Sequence, residues 1–145
     1  MRKNGFTLIE LLAILVILAI IAVITIPKIS QIIEKSRIES AKISAIGYMD
    51  SIKKNCMSGG FDDDYKLPEE CDIDGDYVVE NGILKKDDSI FDVAVNGDAP
   101  SDGFLYIHGG DVYSGCLKIG KYAVTIKGEN NFDTKKGDCS ALNSD

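Results

Sequence analysis

The sequence lacks tryptophan and has a single histidine, so it offers few of the side chains from which catalytic and metal sites are built. Its 145 residues contain no nucleophile motif, phosphate-binding loop or dinucleotide fingerprint. His108 precedes Gly109-Gly110 and has no Cys or His partner at metal-ligand spacing, which is typical of a surface turn. We therefore expect no enzymatic activity, no catalytic residue, no cofactor and no metal ligand.

Basic residues are scarce relative to acidic ones. There are 16 Lys and Arg against 23 Asp and Glu, which gives a formal net charge of −7. The charge becomes more negative if the N-terminal residues Arg2 and Lys3 are removed. An acidic surface repels a phosphate backbone, so direct binding of nucleic acid is not expected.

The acidic residues concentrate after residue 60, in residues 62–64 and 72–76. The segment from Asp72 to Asp76 superficially resembles a calcium loop, but an EF-hand requires its closing Glu at the position that Ile83 occupies. This excludes an EF-hand. The pattern favours a solvated acidic loop, and a calcium site of another type stays open as the alternative.

The dominant feature is one apolar run, Phe6 to Ile26, which holds a single charge at Glu10. A helix of this length is about 31 Å long, close to the thickness of a bilayer. Arg2 and Lys3 precede the run, so the N-terminus is expected in the cytoplasm and the rest of the chain outside. A charge at the centre of a membrane helix costs about 3 kcal/mol and less near an end. If the run is a plain signal anchor, the Glu10 side chain extends to the membrane–water interface near the helix end and has no further role.

The small residue that a processing enzyme needs lies before the apolar run. Gly5 is followed by Phe6-Thr7-Leu8-Ile9-Glu10, whereas no signal-peptidase site follows the run. Residues 3–28 resemble the class III leader of type IV prepilins and pseudopilins. The resemblance implies that prepilin peptidase cleaves between Gly5 and Phe6 and methylates the new amine of Phe6. Glu10 would then meet the Phe6 ammonium of a neighbouring subunit and set the register of assembly.

Pro27 is expected to kink the helix around Ala22–Thr25, because proline has no N–H and clashes with the carbonyl four residues earlier. The alternative is that the helix ends there. Helical spacing resumes beyond it, however, and gives an apolar stripe of Ile38, Ala41, Ala45, Tyr48, Met49 and Ile52. The sequence therefore predicts one long kinked helix from about Phe6 to Cys56, with an amphipathic second half.

The second half of the chain has the two-residue period of strands. The predicted strands are 77–80, 82–85, 91–95, 104–108, 111–119 and 122–127, with tight turns at Asn81-Gly82, Gly109-Gly110 and Gly120-Lys121. The polar tail from Gly128 is expected to be a loop. The predicted class is α+β, with the C-terminal half of the helix packed on an antiparallel sheet. This is also the type IV pilin fold that the resemblance implies.

Cys56, Cys71, Cys116 and Cys139 all follow the apolar run, and an even number in an exported domain favours two disulfides. The sequence alone permits three connectivities. Pairing Cys56 with Cys71 and Cys116 with Cys139 closes short loops, and the second pair resembles the C-terminal disulfide of many pilins. Each loop is expected to stabilise the fold by about 3 kcal/mol.

The predicted organisation has three parts. They are a cytoplasmic leader (1–5), a transmembrane and filament-core helix (6–27) and an extracytoplasmic globular domain (28–145). The resemblance implies a structural subunit of a type IV pilus that serves adhesion, motility or DNA uptake. Its partners would be other copies of itself, other pilins, prepilin peptidase, the membrane and the pilus assembly platform.

The precursor would lie in the inner (cytoplasmic) membrane, and the assembled subunit would lie in a filament on the cell surface. A pseudopilin of a type II secretion or competence system is one alternative function. A signal-anchored extracellular binding domain that never assembles is another, from a different class.

Overall fold

The computed structural model describes residues 5–58, 73–93, 95, 97–128 and 130–139. The chain divides into two compact units, Met1–Arg37 and Ile38–Asp145. One helix, α1 (Leu8–Ser58), begins in the first unit and ends in the second. The described strands all belong to the second unit, where the C-terminal half of α1 packs on an antiparallel sheet. The predicted α+β class is confirmed.

The helix α1 has 51 residues and continues through Pro27. Residues 22–30 are helical on both sides of the proline, so the prediction of one helix across this position is confirmed. The bend itself stays a prediction. Near Pro27, the Thr25 hydroxyl donates a hydrogen bond to the Ile21 carbonyl at 2.7 Å. A polar side chain in this apolar segment is thus satisfied by the helix's own backbone.

The described residues form seven strands in a single antiparallel sheet, in the order β3-β2-β1-β4-β5-β6-β7. They are β1 (Gly75–Glu80), β2 (Ile83–Lys86), β3 (Ser89–Asp92), β4 (Asp102–His108), β5 (Asp111–Ile119), β6 (Tyr122–Lys127) and β7 (Phe132–Lys136). Consecutive strands are neighbours except at one place. After the edge strand β3, the chain crosses to the other side of β1 and continues as β4.

The predicted tight turns connect the strands. Asn81 and Gly82 both have positive φ, 51° and 80°, between β1 and β2, and Gly109-Gly110 has 60° and 77° between β4 and β5. Two consecutive residues with positive φ match the right-handed twist of the flanking strands. The hairpins expected at these positions are confirmed, as is the turn at Gly120-Lys121.

Two details of the predicted sheet are wrong. Residues after Gly128 do not continue as a loop, because Phe132–Lys136 forms β7 and pairs with β6. An edge strand contacts water, so its sequence does not need an apolar alternation. The strand expected at 91–95 is Ser89–Asp92 instead. It follows a tight turn in which Asp87 has a φ of 51°.

The core lies between α1 and one face of the sheet. Ala41, Ala45, Tyr48 and Ile52 of the helix are buried, and Ile38 and Met49 are half-buried at the margins. The predicted apolar stripe is therefore confirmed. The buried partners in the sheet include Val79, Leu84, Leu105, Ile107, Leu117, Val124 and Ile126. Each such side chain contributes about 1.5–3 kcal/mol when fully buried.

The opposite face of the sheet carries a smaller buried cluster made of Cys116, Ala123 and Cys139. Cys116 and Cys139 form a disulfide with their Cα atoms 5.6 Å apart. This predicted pair is confirmed. The carboxylate of Asp138 pairs with Lys118 and raises the pKa of that amine through a hydrogen bond and through its charge. The disulfide and this ion pair therefore hold the end of the described chain against β5.

Candidate functional site

The first unit carries the largest exposed apolar surface in the described chain. Its large hydrophobic side chains from Phe6 to Ile26 are between 44% and 89% exposed, at Ile14 and Leu8 respectively. By length and composition, α1 is able to cross a membrane, and its most apolar window has a mean hydropathy of 3.1. A surface of this size is characteristic of a segment that contacts lipid or another protein.

The helix begins with a capping box between Thr7 and Glu10. The Thr7 backbone N–H and its hydroxyl both donate to Oε2 of Glu10 at 2.9 Å. In return, the Glu10 backbone N–H donates to Thr7 Oγ1 at 3.4 Å. Amides in the first turn have no partner within a helix, and this reciprocal pair satisfies two of them. Glu10 thus has a defined role inside its own chain.

This role could have been found in the sequence. Thr7-Leu8-Ile9-Glu10 has the T-x-x-E spacing of a capping box, directly before an apolar run. The resemblance to prepilin leaders implies a partner for Glu10 on another subunit, and the capping box gives it one within its own chain. The two roles are compatible, because both intrachain bonds use Oε2, and Oε1 can accept from another donor.

The predicted cleavage position lies just before the capping box. Gly5 and Phe6 precede the first helical residue, Leu8, and are exposed; Phe6 is 77% exposed. A Cβ added at Gly5 would have no atom within 4 Å. The backbone between Gly5 and Phe6 is therefore open to an enzyme in this structure. Cleavage there and methylation of Phe6 stay predictions.

The other residues singled out in the sequence lie elsewhere. Cys56 is buried near the end of α1 and is disulfide-bonded. Cys71 lies outside the described residues, so its pairing with Cys56 stays a prediction. His108 is exposed at the end of β4, where Nδ1 is 3.1 Å from Oδ2 of Asp74.

Among the described residues, no group of three or more His, Cys, Asp and Glu side chains is placed to hold a metal ion. Residues 62–64 and Asp72 of the acidic segments are not among those residues, whereas Asp74 and Asp76 are. A calcium site in the acidic loops therefore stays an open alternative.

Comparison with known families gives a match at the N-terminus of the chain. Residues 1–26 match the family described as the prokaryotic N-terminal methylation motif. This motif is the class III prepilin leader, and it indicates a type IV pilin-like protein. Proteins of this kind are generally structural and non-enzymatic. No curated protein and no solved structure matches the chain.

Proposed function

We propose that the chain is a structural subunit of a type IV pilus. Residues 1–5 form a cytoplasmic leader that prepilin peptidase removes, 6–27 form the membrane and filament-core segment, and 28–145 form the extracytoplasmic domain. The observation that supports this most strongly is the methylation motif in residues 1–26, set directly at the start of an exposed apolar helix.

The exposed apolar helix supports both a membrane stage and an assembled stage. Full burial of one Leu, Ile, Val or Phe side chain is worth about 1.5–3 kcal/mol. Even half of that, summed over the side chains from Phe6 to Ile26, reaches the 5–15 kcal/mol that typically stabilises a whole domain. The segment therefore leaves lipid only if other apolar helices replace the lipid, and a filament core made of other copies provides them.

Glu10 connects cleavage with assembly in this proposal. Cleavage at Gly5–Phe6 creates a positive amine one residue before the helix cap. The Glu10 carboxylate of one subunit can then pair with the Phe6 ammonium of the next. Buried charge pairs add little stability, but they are well suited to fixing the register between helices.

The proposed partners and locations follow from this sequence of events. The precursor lies in the inner membrane and meets prepilin peptidase and the assembly platform there. The mature subunit then joins other copies and other pilins in a filament on the cell surface. Adhesion, motility and DNA uptake are all compatible with such a filament.

Electron microscopy of the native cells tests the proposal. Filaments sheared from the cells should contain this chain as a main component, and an antibody against the globular domain should label them along their length. Deletion of the gene should remove them.

Labelling confined to the cell envelope, together with loss of secretion or DNA uptake on deletion, would assign the chain to a pseudopilin. A chain that stays in the membrane as a monomer under all growth conditions would contradict both readings. It would favour the anchored binding domain.

A further inference from the structure

A groove in the second unit has the size and the lining of a small-ligand site. Its volume is about 370 Å³. Clefts that bind small molecules usually measure about 300–1,000 Å³ and are mostly apolar, with a few polar groups. The apolar part of this groove consists of Ile46 and Met49 from α1, Val112 from β5 and Phe132 from β7.

Tyr113 reaches the groove because of an irregularity in the sheet. Ile107 of β4 pairs with Val112, and Tyr106 pairs with Ser114, so Tyr113 is an additional residue without a partner on β4. Such a β-bulge interrupts the alternation of side chains and redirects one of them. The Tyr113 carbonyl accepts a hydrogen bond from the Gly128 N–H at 2.9 Å, which holds the bulge in place. The Tyr113 side chain is 64% exposed.

The connection between β6 and β7 supplies a second polar group to the groove. Asn130 lines it and has a φ of 64°, a conformation that is uncommon outside glycine. The Asn131 carbonyl accepts from the Lys127 N–H at 2.9 Å and fixes this connection to β6. Asn130 thus lies in the groove lining on a connection whose backbone is bonded to β6, and its carboxamide offers both a donor and an acceptor.

The acidic and basic side chains that line the groove are already paired within the chain. The pairs are Asp50 with Lys54 at 2.6 Å, Lys53 with Asp111 at 2.5 Å, and His108 with Asp74 at 3.1 Å. A charged ligand would have to compete with these pairs. The groove therefore favours a ligand without net charge that has both an apolar surface and hydrogen-bonding groups.

We propose that this groove binds the ring of a neutral sugar, such as a hexopyranose of a surface glycan. A pyranose has a face of C–H groups that packs on an aromatic ring, and hydroxyl groups around its edge. Tyr113 and Phe132 provide the aromatic surface. The Asn130 carboxamide and the Tyr113 hydroxyl provide neutral hydrogen-bonding partners, which suit an uncharged ligand. The site binds the sugar without a chemical step.

Saturation-transfer NMR on the full-length protein tests the proposal. Dodecylphosphocholine is a suitable detergent because it contains no sugar. The probes are methyl β-D-glucopyranoside and methyl β-D-galactopyranoside, with glucuronate and glucosamine as charged counterparts. We expect saturation transfer to at least one neutral glycoside and weaker transfer to the charged sugars. Replacing Tyr113 with Ala should weaken binding about two- to tenfold, whereas Tyr113→Phe should keep most of it.

Ile90→Ala is the control, because Ile90 is a 51% exposed apolar residue of β3 outside the groove lining. It should leave binding unchanged. Asn130→Gly keeps the positive φ and removes the carboxamide, so it provides an independent variant if Tyr113→Ala fails to fold. The proposal is overturned if neither neutral glycoside receives saturation, if the charged sugars bind better, or if no groove variant changes binding. Loss of self-association in Tyr113→Ala, without any sugar signal, would assign the groove to a second copy of the chain.

Discussion

Thr7 and Glu10 bind each other through reciprocal hydrogen bonds at the first turn of α1. The Thr7 N–H donates to Glu10 Oε2 at 2.9 Å, and the Glu10 N–H donates to Thr7 Oγ1 at 3.4 Å. A carboxylate near the end of an apolar helix thus stabilises the start of its own helix before any other subunit is present. Any test of an intersubunit role for Glu10 must separate that role from this local one.

Glu10→Gln and Glu10→Val separate the two roles. Glutamine can close the same capping box as glutamate, but it has no charge to pair with the Phe6 ammonium. We expect both variants to be processed and to reside in the membrane, and both to yield few filaments. Filament yield by electron microscopy and processing by mass spectrometry are the measurements. Abundant filaments from Glu10→Gln, with few from Glu10→Val, would show that the cap alone is needed.

Replacing either of two glycines with alanine should change the free energy of unfolding, in opposite directions at the two positions. A Cβ at Gly115 would lie 2.3 Å from the Phe104 carbonyl oxygen, so the backbone of β4 or β5 would have to move. We expect Gly115→Ala to lower the free energy of unfolding by about 1–3 kcal/mol or more. Gly47 is the control, because it lies within α1 and an added Cβ would meet no atom within 4 Å. Gly47→Ala should raise stability by up to about 1 kcal/mol. Urea unfolding in detergent measures both, and equal effects would contradict the structure.

Tyr48 should make the second unit sensitive to high pH. Its hydroxyl donates to the Gly82 carbonyl at 3.0 Å, and burial, with a further contribution from the charge of Asp92, raises its pKa. The unfolded chain loses the Tyr48 proton near pH 10, whereas the folded chain keeps it, so stability should fall as the pH rises above about 10.

Tyr48→Phe removes this contribution and leaves the Gly82 carbonyl without its partner, which should cost about 1–3 kcal/mol at neutral pH. The difference in stability between wild type and Tyr48→Phe should therefore shrink above pH 10. Thermal unfolding followed by circular dichroism from pH 7 to 11 checks this prediction. A difference that stays constant across the range would refute it.

The disulfide between Cys116 and Cys139 should stabilise the sheet and its C-terminal end. The two residues are separated by 23 positions. Chain-entropy reasoning for a loop of this length gives about 3 kcal/mol. Replacing both with Ser should lower the free energy of unfolding by roughly that amount, with α1 still formed. Peptide mapping of wild type under non-reducing conditions should find Cys116 paired with Cys139 and Cys56 paired with Cys71. Any other pairing, or a free thiol at Cys71, would contradict these assignments.

Much of the fold could be predicted because its signals are local. The uninterrupted apolar run, the stripe from Ile38 to Ile52 and the Asn-Gly and Gly-Gly turns each depend on neighbours within a few residues. The order of the strands does not. The crossing from β3 to β4 and the pairing of β7 with β6 are decided by contacts between distant segments. The edge strand β7 also has a polar sequence, so no apolar alternation indicates a strand there.

The two sites differ in the same way. The cleavage motif is a contiguous string of residues, and the three-residue spacing of Thr7 and Glu10 in the sequence is typical of a capping box. The position of Tyr113, by contrast, depends on a bulge in the register of two strands. No spacing within β5 indicates such a bulge. The groove therefore could only be found in the folded chain.

The N-terminus of the mature protein shows whether the chain is processed as a prepilin. Intact and top-down mass spectrometry of the native protein should show a chain that begins at Phe6 and carries one methyl group on its amine. Replacing Gly5 with Arg should block processing, because a large charged side chain would stand where the cleavage site has a small residue, and the variant should keep residues 1–5. Native protein that retains Met1, or a Gly5→Arg variant of normal mature mass, would contradict the proposed processing and the assembly that depends on it.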